Sequence, residues 1–185
     1  MKGKTHLLFG LGTGCLMAAI TTPDNLIQGS ALIACTALGS LFPDIDNPMS
    51  TISKKFKITS TILNKMFGHR TFFHSPFCCA LLTGILYFIF KANELMNWWG
   101  IILGFAVGFI GHLFLDSLTK GGIPFLYPFK TKRYHFTNIK TGGFGEKIVF
   151  TGACVVTILA FGVFVYLTNI KEFEVATLLN IFKLN

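Results

Sequence analysis

Two stretches, Trp98 to Leu118 and Ile148 to Ile170, are long and apolar enough to cross a bilayer, and they settle the class of fold before any motif is considered. A hydrocarbon core takes roughly 20 apolar residues. Within it every backbone N–H and C=O must be paired inside the protein, so such stretches form helices. Three shorter apolar stretches accompany them: Leu7 to Thr22, Gly29 to Phe42 and Pro76 to Phe90. These are short for a full span and are expected to tilt little, to thin the bilayer locally or, for the first pair, to form a shallow hairpin. Only 13% of the residues are charged, against about 25% in soluble domains. The expectation is an all-α, polytopic membrane helical bundle, a single integral membrane domain over residues 1–185 with about five membrane segments.

Amphipathic surface helices are expected beside these segments. Between Asn47 and Gly68, Ile52, Phe56, Ile62, Leu63, Met66 and Phe67 alternate with lysines and hydroxyl residues, the pattern of a basic segment lying on a lipid surface. The tail from Glu174 to Leu184 sets Val175, Leu178, Leu179 and Phe182 on one stripe and reads as a second surface helix. The five cysteines, Cys15, Cys35, Cys78, Cys79 and Cys154, all lie in apolar segments without a Cys-x-x-Cys pair. They read as small packing residues and argue against a zinc knuckle or a disulfide framework. Gly104 and Gly108 have the spacing that lets helices approach closely in lipid.

If the segments cross in succession, the N-terminus, the Asp44–Gly68 region and the Thr119–Lys147 loop share one side. Of the 16 Lys and Arg residues, all but Lys91, Lys171 and Lys183 fall there. The positive-inside rule makes that side cytoplasmic; a prokaryotic inner membrane is the expected location. The same rule accounts for the net charge of +8, and no nucleic-acid partner is expected.

That side also gathers the chemistry. His6 opens the first segment. Asp44 and Asp46 emerge where Pro43 ends the second. His69, Arg70 and His74 precede the third, where Ser75-Pro76 reads as a helix cap followed by proline at the first helical position. His112 and Asp116 are four apart near the end of the fourth, so they share a helix face. His and Asp together are the ligand set of a hydrolytic metal site, and ionisable groups beside lipid mark function. Each group has a structural alternative: a His–Asp hydrogen bond across helices for His112 and Asp116, a polar helix cap for Asp44 and Asp46, solvated loop histidines for His69 and His74. The candidate metal ligands are His6, Asp44, His69, His74, His112 and Asp116. Asp46, Arg70 and Glu146 are candidate catalytic residues: Asp46 beside the metals, Arg70 to neutralise a phosphoryl group, and Glu146 as a carboxylate that supports the ligands from behind or as a general base. His135, in Lys132-Arg133-Tyr134-His135-Phe136, reads as part of an interfacial basic-aromatic anchor.

The pattern resembles the YdjM-type family, described as LexA-regulated, membrane-bound, metal-dependent hydrolases. The resemblance rests on His6, Gly39-Ser40-Leu41-Phe42-Pro43-Asp44-Ile45-Asp46, His69-Arg70 with Phe73-His74-Ser75, Gly111-His112-Leu113-Phe114-Leu115-Asp116-Ser117-Leu118-Thr119, and Gly121-Gly122-Ile123-Pro124 with Tyr127-Pro128-Phe129. It spans roughly residues 3 to 130 and leaves the membrane segment and tail of 148–185 outside. It implies a metal-dependent hydrolase without naming a substrate. A more distant likeness is to zinc-dependent, all-helical phospholipase C enzymes, an analogy only.

Two functions follow from these residues. In the first, one or two divalent ions, zinc foremost with manganese or magnesium as alternatives, activate water to cleave an ester or phosphoester of a lipid or lipid-linked substrate. In the second, the chain binds or transports metal without hydrolysis, or serves other proteins as a structural partner. A transporter places its ligands near the bilayer midplane. Ligands gathered at one rim favour the hydrolase. Membrane lipids are the expected partners.

The orientation is tested with Thr141→Cys in a background lacking the native cysteines. A membrane-impermeant maleimide is expected to label it only after the membrane is opened. Labelling on intact cells would reverse the orientation.

Overall fold

The computed structural model describes residues 1–21, 26–47, 50, 53, 57–68 and 70–183, with side-chain surroundings given up to residue 170 apart from Phe67. Its helices are α1 (Gly3–Thr21), α2 (Leu26–Leu41), α3 (Lys57–Phe67), α4 (Pro76–Ala92), α5 (Trp99–Ser117) and α6 (Phe144–Lys183). Short 3-10 turns cover Phe42–Asp46, Phe72–His74 and Met96–Trp98. No strand occurs among the described residues, only isolated bridges that pin the 118–143 loop, Thr119 to Ile139 and Ile123 to Tyr134.

Local chemistry explains where the helices turn. Pro43 has no N–H to continue the α2 ladder, and the chain tightens into the 3-10 turn Phe42–Asp46. This turn extends the second apolar stretch to Leu26–Asp46, so it joins Met96–Ser117 and Phe144–Ile170 as a helix long and apolar enough to cross a membrane. The proline does end the α-helix, at Leu41; the apolar pattern is shorter because it starts at Gly29 and does not include the 3-10 turn. The cap at Ser75 is as expected: its side chain accepts from the Cys78 N–H, and Pro76 follows at the first helical position. α4 is a shorter apolar helix. α1 begins at Gly3, a turn earlier than the apolar pattern. The tail is no separate helix: α6 continues without a break to Lys183.

The helices pack through small residues. A Cβ at Gly10 would meet Ser40, and one at Gly14 would meet Ile33 and Thr36, so α1 runs antiparallel to α2. Gly100 faces Leu32, Gly104 faces the Leu32 carbonyl, and Gly108 faces Thr36 and Ser40. α5 therefore runs parallel to α2, backbone against backbone. The α2 hydroxyls are satisfied within their own helix, Thr36 to the Leu32 carbonyl and Ser40 to the Ala37 carbonyl, so they offer small smooth surface to α5. Gly12 meets Thr157, whose hydroxyl bonds the Leu8 carbonyl, and α6 lies parallel to α1. These directions bring the start of α1, the end of α2, the start of α4, the end of α5 and the start of α6 to one end of the bundle.

That end is closed by a core of Phe73, Cys78, Cys79, Phe109, Leu113 and Ile123. Cys15, Cys78 and Cys79 are buried and all five cysteines are free thiols, consistent with small packing residues. Phe88, Ile158 and Leu159 point outward and are about two-thirds exposed or more, at 68%, 71% and 64%. Such a belt suits hydrocarbon and not water.

Gly108→Leu is expected to lower the thermal midpoint in detergent, because its side chain collides with α2 backbone and overpacking of this kind costs about 2 kcal/mol. Gly162→Leu is the matched control, since nothing lies within 4 Å of a Cβ there. Equal midpoints for the two variants would refute the backbone-contact account.

Candidate metal centre

The first turns of α1 supply His6, the 3-10 turn after α2 supplies Asp44 and Asp46, the turn before α4 supplies His74, and the last turns of α5 supply His112 and Asp116. All are buried. His6 Nε2 lies 3.3 Å from Asp116 Oδ1, His74 Nε2 lies 3.6 Å from Asp44 Oδ1 and 3.8 Å from Asp116 Oδ2, and His112 Nε2 lies 3.9 Å from Asp116 Oδ2. The His6 ring stacks on His112 with centroids 3.8 Å apart, and His74 meets His112 edge-on at 5.1 Å. Two groups, His6 with Asp44 and His112, and His74 with His112 and Asp116, each bring their ligand atoms within 4.8 Å of one another. His112 belongs to both.

This donor set fits a divalent cation. Ligand atoms around one tetrahedral zinc stand about 3.4 Å apart, given bonds of about 2.1 Å. The His-to-Asp separations bracket that value. His6 Nδ1 and His112 Nε2 have no hydrogen-bond partner, although both are buried, and His6 Nε2 has only the Asp116 carboxylate beside it. Buried polar atoms of this kind are costly unless something binds them. His112 Nδ1 lies 2.7 Å from the Ser40 carbonyl and must donate to it, which leaves the Nε2 lone pair facing the cluster.

The carboxylates set the field. Burial pulls the His74 pKa down, but Asp44 and Asp46 beside its nitrogens outweigh burial and raise it to about 9. A field that holds a proton so firmly also favours a metal cation. Asp46 Oδ2 lies 3.4 Å from His74 Nδ1 and accepts the Arg70 N–H at 3.2 Å. Asp46 thus faces the His74 nitrogen turned away from Asp44 and Asp116, an arrangement that orients an imidazole ligand from behind. Arg70 sits in the left-handed region with φ of 60°. Its Nη2 lies 2.9 Å from Asp116 Oδ2, and the Met1 amino group pairs with Asp116 Oδ1. At 16% and 12% exposure, the side chains of Arg70 and Asp44 open the otherwise sealed cluster to the outside.

The remaining sequence candidates fall elsewhere. His69 lies outside the described residues. Glu146 is buried but belongs to neither ligand group. Its Oε1 takes the Lys2 N–H and the Thr5 hydroxyl, and its Oε2 takes the Gly142 N–H. It ties the start of α1 to α6. His135 is exposed, with Nδ1 3.2 Å from the Thr137 carbonyl. Three contributors went unread in the sequence. Ser40 acts through its carbonyl, which no side-chain pattern reveals. Asn64 donates to the Asp46 carbonyl at 2.7 Å. A Cβ at Gly121 would collide with the Arg70 guanidinium, so glycine is what leaves room for that side chain; its place in the Gly121-Gly122 pair was the only available signal.

The chain matches the family model described as "YdjM inner membrane protein" over residues 1–180. It is 34% identical over 152 residues to the uncharacterized protein YvsG of Bacillus subtilis (strain 168), covering 82% of this chain and 89% of that protein. It is 30% identical over 133 residues to the inner membrane protein YdjM of Escherichia coli (strain K12), covering 69% of this chain and 66% of that protein. The YdjM of Shigella flexneri matches to the same extent. No solved structure matches the chain. The match includes α6, which the motif resemblance had left aside, so the whole bundle and not only its motif-bearing part is shared. The chain belongs to the YdjM inner membrane protein family.

Proposed function

We propose that the chain is a membrane-embedded, metal-dependent hydrolase that cleaves an ester or phosphoester of a lipid or lipid-linked substrate at the cytoplasmic face. The observation that carries this reading is the buried His–Asp cluster with its unpartnered His6 and His112 nitrogens. His6, Asp44, His74, His112 and Asp116 would hold the ion or ions, with zinc favoured by the imidazole share of the set. His69 is a further ligand candidate on sequence grounds. A divalent ion held there would supply Lewis acidity and bring the pKa of water toward neutrality.

The protein's own groups supply the rest. Asp46 and the Ser40 carbonyl face Nδ1 of His74 and of His112, and would orient the two rings for metal binding. Arg70 is exposed enough to meet an anionic group at the mouth and to take up negative charge that develops on a phosphoryl oxygen. Glu146 fixes the first turn of α1 and through it the position of His6, the role its contacts support in place of general base. Beside the cluster, a cavity of about 500 Å³ between α4 and α5 is lined almost wholly by apolar groups, including Pro76, Cys79, Ala106, Leu113 and Ser117. Pro76 and Cys79 follow His74 in the chain, and Leu113 and Ser117 each adjoin a ligand. None of the candidate ligands lines the cavity itself, and its apolar walls are suited to a hydrocarbon chain.

His112→Ala is expected to abolish cleavage of a lipid-linked phosphoester and to strip stoichiometric metal, while the protein still inserts. Asp46→Asn is expected to weaken metal binding by about 10- to 100-fold, the cost of losing an orienting partner. Metal content and turnover are measured together on detergent-purified protein. Full metal occupancy in His112→Ala would remove this cluster as the site. Metal loss with an unchanged lipid phenotype would favour a metal-binding protein without hydrolysis.

A further inference from the structure

α3 is built inside out for a helix in water. Its outward stripe is Ile58, Ile62 and Met66, exposed at 80%, 51% and 67%. Its inward side presents Ser60, which is fully buried, with Leu63 and Asn64. A surface helix in water does the reverse, turning its apolar stripe to the core. The polar inward side is used: Asn64 Nδ2 donates to the Asp46 carbonyl at 2.7 Å, and Leu63 packs against the aromatic core at the site end. The flanks are cationic. Lys57 and Lys65 lie in the helix, Lys54 and Lys55 precede it in sequence, and no acidic residue occurs between Asn47 and Ala92.

We propose that α3 docks on an anionic lipid leaflet through Ile58, Ile62 and Met66, and that this docking holds the Asp44–Asp46 turn in place through Asn64. Charge complementarity selects the occupant: a basic, acid-free segment with an apolar outward stripe, at the end of a bundle whose outer faces are apolar, fits lipid head groups over shallow acyl chain. The sequence pattern already lays this segment on a lipid surface; the structure adds which stripe faces outward and the bond from Asn64 to the carboxylate turn. The link to Asp46 makes α3 a strap between the membrane surface and the carboxylate turn. The inference stands apart from the hydrolase reading, since it concerns placement of the turn and is read without metal or turnover.

The test uses the full chain in nanodiscs of phosphatidylcholine, alone or mixed with phosphatidylglycerol. A polarity-sensitive fluorophore on Ile62→Cys, in a background lacking the native cysteines, is expected to be quenched by lipid carrying a shallow nitroxide and shielded from aqueous iodide, more so with the anionic lipid. Amide hydrogen exchange of residues 42–47 is expected to speed up about tenfold in the Ile58→Ser/Ile62→Ser/Met66→Ser variant, as local opening becomes easier. Asn64→Ala should speed it similarly while leaving the quenching at position 62 unchanged. The leucine version of the stripe should restore wild-type exchange, separating lost docking from a failure to fold. Free access of iodide to position 62 would overturn docking. Shielding from both quenchers would mean that protein, such as a second copy, covers the stripe, and would overturn it too. Quenching by lipid with unchanged exchange in both variants would overturn the strap.

Discussion

The close parallel packing of α2 on α5 is the contact on which the site depends. Gly104 and Gly108 let the α5 backbone rest against the Leu32, Thr36 and Ser40 region of α2, without side chains between. Only at that separation does the Ser40 carbonyl reach His112 Nδ1. The same contact sets the end of α2 beside the end of α5, so the turn that Pro43 forces delivers Asp44 and Asp46 beside the His112 and Asp116 face. α1 then adds His6 by stacking it on His112, and α4 adds His74 from its capped start. A separation wider by one methyl group would leave four buried ionisable groups without the neighbours that make their burial tolerable.

Those groups are sustained by one another. Asp116 lies among His6, His74, His112 and Arg70, and the turn carrying Asp44 and Asp46 is tied by Ser50, Ser53 and Asn64 to its own backbone carbonyls. Rigid support of this kind is what a metal site requires of its protein. What the network leaves unmet is specific: His6 Nδ1 and His112 Nε2, buried with no hydrogen-bond partner. A structural His–Asp network would be expected to satisfy them, which is why the cation reading is preferred over hydrogen bonding across helices.

Much of this was legible in the chain because lipid restricts the options. Apolar stretches had to be helices, and counting their crossings placed His6, Asp44, Asp46, His74, His112 and Asp116 at one end, where the structure brings them together. The Ser75-Pro76 cap was also readable, since its chemistry is local. Other features were not. The length of the second apolar span was understated because α2 begins at Leu26, before Gly29, and the 3-10 turn Phe42–Asp46 carries the span on past the end of α2 at Leu41. The continuity of α6 to Lys183 was missed because amphipathic and apolar stretches join with no breaking residue between them. Glu146 was grouped with the site by its side of the membrane; its partners are Gly142, four residues before it, and Lys2 and Thr5, contacts between distant segments that no spacing reveals. The facing of α3 needed coordinates for the same reason.

The account rests on the claim that the buried cluster holds a divalent metal, and X-ray absorption on the purified wild-type protein tests it directly. The account predicts a bound first-row metal with nitrogen and oxygen neighbours at about 2.0–2.2 Å and the outer-shell scattering of more than one imidazole. Metal-free protein of full stability, or a metal whose spectrum shows no imidazole, would contradict it.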